Sequence, residues 1–194
     1  MLGISAEGTK IVSCHLGNGG SVAAIKDGKS IDTSMGMTPV EGLLMGTRSG
    51  DVDASVLSFI MEKENIGPQA INTLVNKHSG LLGLSGVSSD MRELSAAMAA
   101  GNERAQLAHD VFEYRVKKYV GSYAAALGGI DILIFTGGIG ENHLNSREEI
   151  CAGLDFMGIK LDLEKSNNAR GEEAIISTDD SKVKVMVVPD RKSV

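Results

Sequence analysis

The chain has 194 residues, 42% of them hydrophobic and 23% charged, with a formal net charge of −6 and no run of Lys and Arg. That length holds one compact domain with a sizeable core, and the acidic balance disfavours a nucleic-acid partner. Nothing approaches the roughly 18 apolar residues that cross a bilayer, residues 1–10 lack the pattern of a secretory leader, and two isolated cysteines, Cys14 and Cys151, fit a reducing, cytoplasmic compartment.

The first fifty residues read as β-rich. Residues 10–15 (KIVSCH) and 21–26 (SVAAIK) are short strands flanking a glycine-rich turn at 16–20. Asp27-Gly28 then separates residues 25–26 from 29–33, and Asp-Gly favours a type I′ hairpin because both central residues need positive φ. Three antiparallel strands are expected. From Asp51 the pattern turns helical. Asp51 or Asp53 caps a helix running to Glu64, with Val52, Val56, Phe59 and Ile60 at helical spacing. Pro68 opens a second helix ending near Lys77. Asp90 and Glu93 resemble a capping box for a third, which reaches Ala100.

Residues 102–127 form the longest periodic segment. Ala108, Val111, Phe112, Val116, Tyr119, Val120, Tyr123 and Leu127 keep to one stripe, while Arg115, Lys117 and Lys118 lie off it. Gly128-Gly129 ends that helix. Residues 130–135 (IDILIF) read as a buried strand, 136–142 (TGGIGEN) as a glycine-rich loop, 146–154 as a helix and 182–188 (KVKVMVV) as a last strand. With no Pro- or Ser-rich linker and no internal repeat, a single α/β domain over residues 1–194 is the simplest account.

Four segments carry candidate chemistry. In His15-Leu16-Gly17-Asn18-Gly19-Gly20, three glycines between two strands leave backbone N–H groups open to an anion; a tight hairpin with a packing histidine explains the same residues. Arg48, in Thr47-Arg48-Ser49-Gly50-Asp51, sits on a loop before a helix, where a guanidinium can clamp a carboxylate or phosphate at two points. The plain alternative pairs it with Asp51 or Asp53. Asp90-Met91-Arg92 reads first as a helix cap followed by solvated charge. Gly137-Gly138-Ile139-Gly140-Glu141-Asn142 follows a buried strand, where open α/β sheets bind ligands, yet it fits neither a P-loop nor a dinucleotide fingerprint. No HExxH or CxxC is present, so no metal ligands are assigned, and Ser85 in Gly83-Leu84-Ser85-Gly86 is taken as part of a turn.

Taken together, HLGNGGSV at 15–22, DTSMGMTPVEGLLMGTRSGDVD at 32–53, NKHSGLLGLSGVSSDMREL at 76–94 and FTGGIGEN at 135–142 resemble the acetate kinase family, in order and in content. The resemblance implies the C-terminal domain of the actin-like ATPase (ribonuclease H-like) fold, a mixed sheet with flanking helices, with residues 1–194 equivalent to the C-terminal half of such a kinase. It implies ATP or ADP as the nucleotide and Mg2+ as the metal. His15, Leu16, Gly17, Asn18 and Gly19 would then contact phosphate, and Asp90, Met91 and Arg92 would lie by the adenosine. Gly138, Ile139, Gly140, Glu141 and Asn142 would hold its adenine and ribose side. Arg48 would reach the transferring phosphoryl group, with His15 helping to neutralise its oxygens.

The implied reaction moves a phosphoryl group between ATP and acetate, or another short-chain carboxylate such as propionate or butyrate, giving an acyl phosphate. Implied partners are the family's N-terminal half, which supplies an aspartate and an arginine that map onto no residue here, and a second copy in a homodimer. The family's P-T-N-E-E stretch, whose glutamate helps organise magnesium, is replaced by Val188-Pro189-Asp190-Arg191-Lys192-Ser193-Val194. The isolated chain is therefore expected to be inactive. The competing reading is a non-catalytic nucleotide-binding or assembly module derived from such a kinase.

Overall fold

A computed structural model describes residues 2–190. Their packing divides the chain into two compact units. The first takes in the residues up to Ser34 and those from Val116 onward; the second spans Met35–Arg115.

The first unit is built on one six-stranded sheet in the order β3-β2-β1-β4-β6-β5. The strands are β1 (Lys10–Leu16), β2 (Gly20–Lys26), β3 (Lys29–Thr33), β4 (Ile132–Thr136), β5 (Ala174–Ile175) and β6 (Lys184–Val187). The central three, β1, β4 and β6, run parallel, and β2, β3 and β5 add antiparallel edges. The centre is parallel because long crossovers separate its strands, which a two-residue turn cannot provide. Alternation sets what each strand buries: Val12, Cys14 and Leu16 of β1 and Leu133 and Phe135 of β4 are fully enclosed. Edge strand β3, KSIDT, is exposed throughout, and its lysine and aspartate discourage pairing with another chain.

The expected hairpins are present. Asp27 and Gly28 take φ of 53° and 73°, the left-handed pair that a type I′ turn requires. A register shift between Ala24 and Ile25 bends the pairing of β2 with β3, a bulge that no side chain announces.

The second unit is helical: α1 (Ala54–Glu64), α2 (Pro68–Lys77), α3 (Gly80–Ser85) and α4 (Met91–Ala99), followed by the opening turns of α5 (Glu103–Leu127). Its enclosed side chains include Leu43, Met45, Leu81 and Leu94. Helix α1 departs from expectation. Asp53 caps it by accepting from the Ser55 N–H at 2.9 Å, and the apolar spacing is there, but no residue of α1 is buried. Val52, Val56 and Phe59 are exposed, Phe59 by 61%. Periodicity fixes which side chains share a face, not whether anything covers it.

On α5 most of the stripe is buried: Ala108, Phe112, Val116, Val120, Tyr123 and Leu127 are enclosed, while Val111 and Tyr119 are half-buried at its margin. Three further helices complete the first unit: α6 (Gly137–Asn142), α7 (Leu144–Cys151) and α8 (Leu163–Asn168). The stretch expected to be a glycine loop is thus the short helix α6, and α7 begins two residues before the expected start. Among the described residues no helix is long and apolar enough to cross a membrane.

Candidate functional site

In the first unit, the parallel register aligns the carboxyl ends of the central strands. His15 on β1 lies opposite Thr136 on β4, and Phe135 opposite Val187 on β6. The hairpin at 16–20 and helix α6 therefore leave the sheet at the same edge, where open sheets bind ligands. The hairpin is closed by the Gly17 N–H donating to the Gly19 carbonyl at 3.1 Å. Asn18 is exposed and His15 half-buried. Among the described residues neither side chain takes part in a hydrogen bond.

Helix α6 is set directly on this hairpin. Gly137 has φ of 78°, and a Cβ there would meet the Leu16 carbonyl oxygen at 2.7 Å and the Leu16 nitrogen at 3.1 Å. Gly140 lies against β1 and β4, where a Cβ would sit 3.4 Å from the Phe135 carbonyl carbon and 3.7 Å from the Cys14 oxygen. Gly138, in contrast, faces open space. The glycine that joins the two motifs is Gly137, which lies in the glycine-rich segment but just before the residues Gly138 to Asn142 expected to hold the nucleotide; the Gly-Gly pair marked it, but nothing in the sequence said which of the two was constrained.

Glu141 and Asn142 are committed to the backbone. One Glu141 carboxylate oxygen accepts from the Gly137 N–H at 3.0 Å and from the Asp190 N–H at 2.8 Å. It ties the start of α6 to the segment leaving β6. The Asn142 amide donates to the Gly138 carbonyl at 3.0 Å.

In the second unit, Arg48 sits in a turn in which the Met45 N–H donates to the Arg48 carbonyl at 3.2 Å. This turn is gripped from both sides. The Leu81 and Leu82 N–H groups donate to Met45 and Gly46, and Ser79 donates to Thr47. The Thr47 hydroxyl donates to the Asn76 carbonyl at 2.9 Å. The pairing proposed as the plain alternative is not formed. Asp51 bridges to Arg115 at 3.2 Å and accepts from the Gly42 N–H, while Asp53 caps α1. The Arg48 guanidinium is half-buried and reaches only the Met45 thioether, 3.7 Å from Nη1. No described carboxylate pairs with it.

Asp90 caps α4 by accepting from the Arg92 N–H at 2.8 Å. The capping box is not closed by Glu93 as expected; the Ser88 hydroxyl instead accepts from the Asp90 N–H. Arg92 folds back onto Asp90 with two side-chain hydrogen bonds, 3.0 and 2.6 Å, and these hold the Asp90 carboxyl down at about 2. Met91 is buried, so at this position only backbone can face a ligand. Ser85 closes a turn by accepting from Val87 and Ser88 at the end of α3, a helix where the sequence suggested only a turn.

The structure thus brings His15, Leu16, Gly17, Asn18 and Gly19 together with Gly138, Ile139, Gly140, Glu141 and Asn142 at one sheet edge of the first unit. Arg48 and the Asp90, Met91 and Arg92 segment belong to the second unit. Arg191, Lys192, Ser193 and Val194 lie outside the described residues.

The mixed six-stranded sheet with flanking helices defines the class, an α/β protein with the C-terminal domain of the actin-like ATPase fold. The crystal structure of Porphyromonas gingivalis acetate kinase is similar to it with a TM-score of 0.95 and 56% identity, over 97% of this chain and 47% of that one. That of Entamoeba histolytica acetate kinase gives a TM-score of 0.94 at 35% identity, over 98% of this chain and 49% of the other. The Acetokinase family model matches residues 1–194, and the chain belongs to that family. It is 65% identical to the acetate kinase of Phocaeicola vulgatus over 188 residues, 97% of this chain and 47% of the relative. The chain spans about half the length of the curated relatives it matches.

The sheet edge suits a nucleotide, since the hairpin backbone and the uncommitted His15 and Asn18 side chains all stand at strand ends. Magnesium fits less well there: the nearby acidic residues are Glu141, occupied by two N–H groups, and the exposed Asp190.

Proposed function

We propose that residues 1–194 form a single nucleotide-binding domain, equivalent to the C-terminal half of an acetate kinase. The whole protein would catalyse reversible phosphoryl transfer between ATP and acetate, giving acetyl phosphate and ADP, in the cytoplasm. The observation that carries the reading is the shared sheet edge, where Gly137 seats α6 on the His15–Gly19 turn while the His15 and Asn18 side chains stay uncommitted.

In this reading the hairpin holds the phosphates through backbone N–H groups, and α6 supports the adenine and ribose side. Arg48 supplies charge to the phosphoryl group in transit; phosphoryl transfer rests on positioning and electrostatic stabilisation more than on covalent chemistry. No described carboxylate occupies the guanidinium, whose one described hydrogen bond is to the Met45 thioether, and this supports its service to such a group. Asp90 and Arg92 serve the adenosine side.

The amino-terminal half would complete the acetate site, so this chain alone is expected to make no acyl phosphate. The exposed apolar side chains of α1 support a homodimer. A relative crystallised as propionate kinase, from Francisella tularensis, is 43% identical over 94% of this chain, which keeps propionate as the competing acceptor.

Calorimetry with ADP on this chain tests the nucleotide assignment. Asn18→Ala removes an exposed side chain with no internal role, so it should weaken ADP binding without lowering the melting temperature. Equal affinity in both proteins would move the nucleotide elsewhere.

A further inference from the structure

Arg147 is among the largest wholly enclosed side chains of the molecule, at 0% exposure on α7, and no described carboxylate balances it. Its five N–H groups are instead spent on oxygens at the ends of two short helices. Nη1 donates to the carbonyls of Gly140 at 2.9 Å and Glu141 at 2.7 Å, in the last turn of α6. Nη2 donates to those of Ser166 at 2.6 Å and Ala169 at 3.1 Å, and Nε to the Ser166 hydroxyl at 3.1 Å, all at the end of α8. Burial draws its pKa down to about 10, which leaves it charged at neutral pH.

An enclosed charge is a costly way to fill space. An apolar side chain of similar volume is often neutral or stabilising by comparison. What the guanidinium adds is direction: it donates to carbonyls at helix ends, where intrahelical donors run out, and fixes α6 against α8. At its other end α6 is held by the Glu141 carboxylate on Gly137 and Asp190. Glu141 is therefore fixed twice, through its carbonyl by Arg147 and through its side chain by two N–H groups.

We infer that Arg147 is a positioning residue for the nucleotide, acting through α6 without touching the ligand. The inference rests on the reading of α6 as the adenine and ribose side of the site. Without the guanidinium, the Gly140 and Glu141 carbonyls lose their partners, and α6 shifts or frays while β1 and β4 stay in place. The backbone that meets the nucleotide is then no longer preorganised.

The test is ADP calorimetry on this chain, with amide exchange read separately for residues 137–142. Arg147→Met should weaken ADP about tenfold and speed exchange in that segment, with β1 and β4 unchanged. Arg147→Lys, which keeps the charge but brings three donors, should recover part of the affinity. Ile150→Val, a cavity in the same helix at an equally buried position, should lower the melting temperature and leave ADP affinity unchanged. A folded Arg147→Met protein with wild-type affinity overturns the inference, and so does an equal loss of affinity in Ile150→Val. If Arg147→Met does not fold, unchanged affinity and exchange in Arg147→Lys overturn it. A wild-type chain that binds no ADP removes the nucleotide reading itself, and is told apart because it precedes any variant.

Discussion

Gly80 lies so close to Arg48 that a Cβ at position 80 would stand 2.8 Å from the Arg48 carbonyl oxygen. With φ of 64°, this glycine meets two demands at once: a left-handed backbone and an approach that only a hydrogen atom allows. It opens α3, whose first N–H groups grip the turn carrying Arg48. Gly80→Ala should therefore destabilise the second unit by more than about 1 kcal/mol, since the native conformation is incompatible with a side chain. It should also lower turnover when the chain is joined to the amino-terminal half of the Phocaeicola vulgatus enzyme. Thermal melts and steady-state kinetics check the two effects separately.

In the same two-half protein, Arg48→Ala should lower kcat far more than it raises KM for ATP. An interaction made chiefly in the transition state has that signature, whereas loss of uniform binding raises KM alone. Loss of one such contact costs about 10²–10³ in rate. Arg48→Lys should restore only part of it, because an ammonium lacks the planar two-point contact. Wild-type kcat in a folded Arg48→Ala protein would end the catalytic assignment.

Adjacent glycines should behave differently. Gly137→Ala places a methyl against the Leu16 backbone, so it should both destabilise the first unit and abolish ADP binding. Gly138→Ala meets no atom within 4 Å, and its melting temperature should stay near that of wild type. Melts and ADP titrations on the pair measure the contrast.

The two thiols should give an alkaline limb to stability. Burial is the main cause that raises the pKa of Cys14 and Cys151, that of Cys151 from 9.0 to about 12. A folded pKa above the unfolded value contributes stability that is intact below pH 9 and is lost as pH rises through the folded value. From pH 9 to 10 the loss approaches about 1.4 kcal/mol per pH unit for each thiol. Denaturant titrations at these two pH values should show a shallower slope for Cys14→Ala/Cys151→Ala than for wild type. Both native thiols should also resist alkylation at neutral pH, since the thiolate is the reactive form.

What was legible in the sequence followed from local rules. Asp27-Gly28 named its own turn, Pro68 opened α2, and the stripe on α5 marked the face that is buried. Helix α3 escaped because three of the residues in Gly80–Gly86 are glycines, which argue for turns; its stability comes from bonds to the 45–47 segment. Helix α8 and β5 are too short to show a period. The hairpin and Arg48 stood out because glycines and a loop arginine carry chemical meaning where they occur. Arg147 did not, since its partners are backbone carbonyls, and any residue type can supply those.

The sheet order has a consequence for how this chain acquires its structure. The Lys10 N–H donates to the Asp131 carboxylate across 121 positions, and β1 and β4 pair in parallel beside that bond. Closing so long a loop costs about 4 kcal/mol more than a constant that every closure shares, so this pairing forms slowly and rewards only a chain already ordered elsewhere. During synthesis the β1–β2–β3 meander is complete long before β4 leaves the ribosome. Its inner edge, the row of β1 backbone N–H and C=O groups that later pairs with β4, stays open while the whole helical unit is made. Collapse of Met35–Arg115 in that interval shortens the effective loop. The helical insertion thereby hastens the closure of the sheet, and a slow-folding variant in it should expose the β1 edge to aggregation.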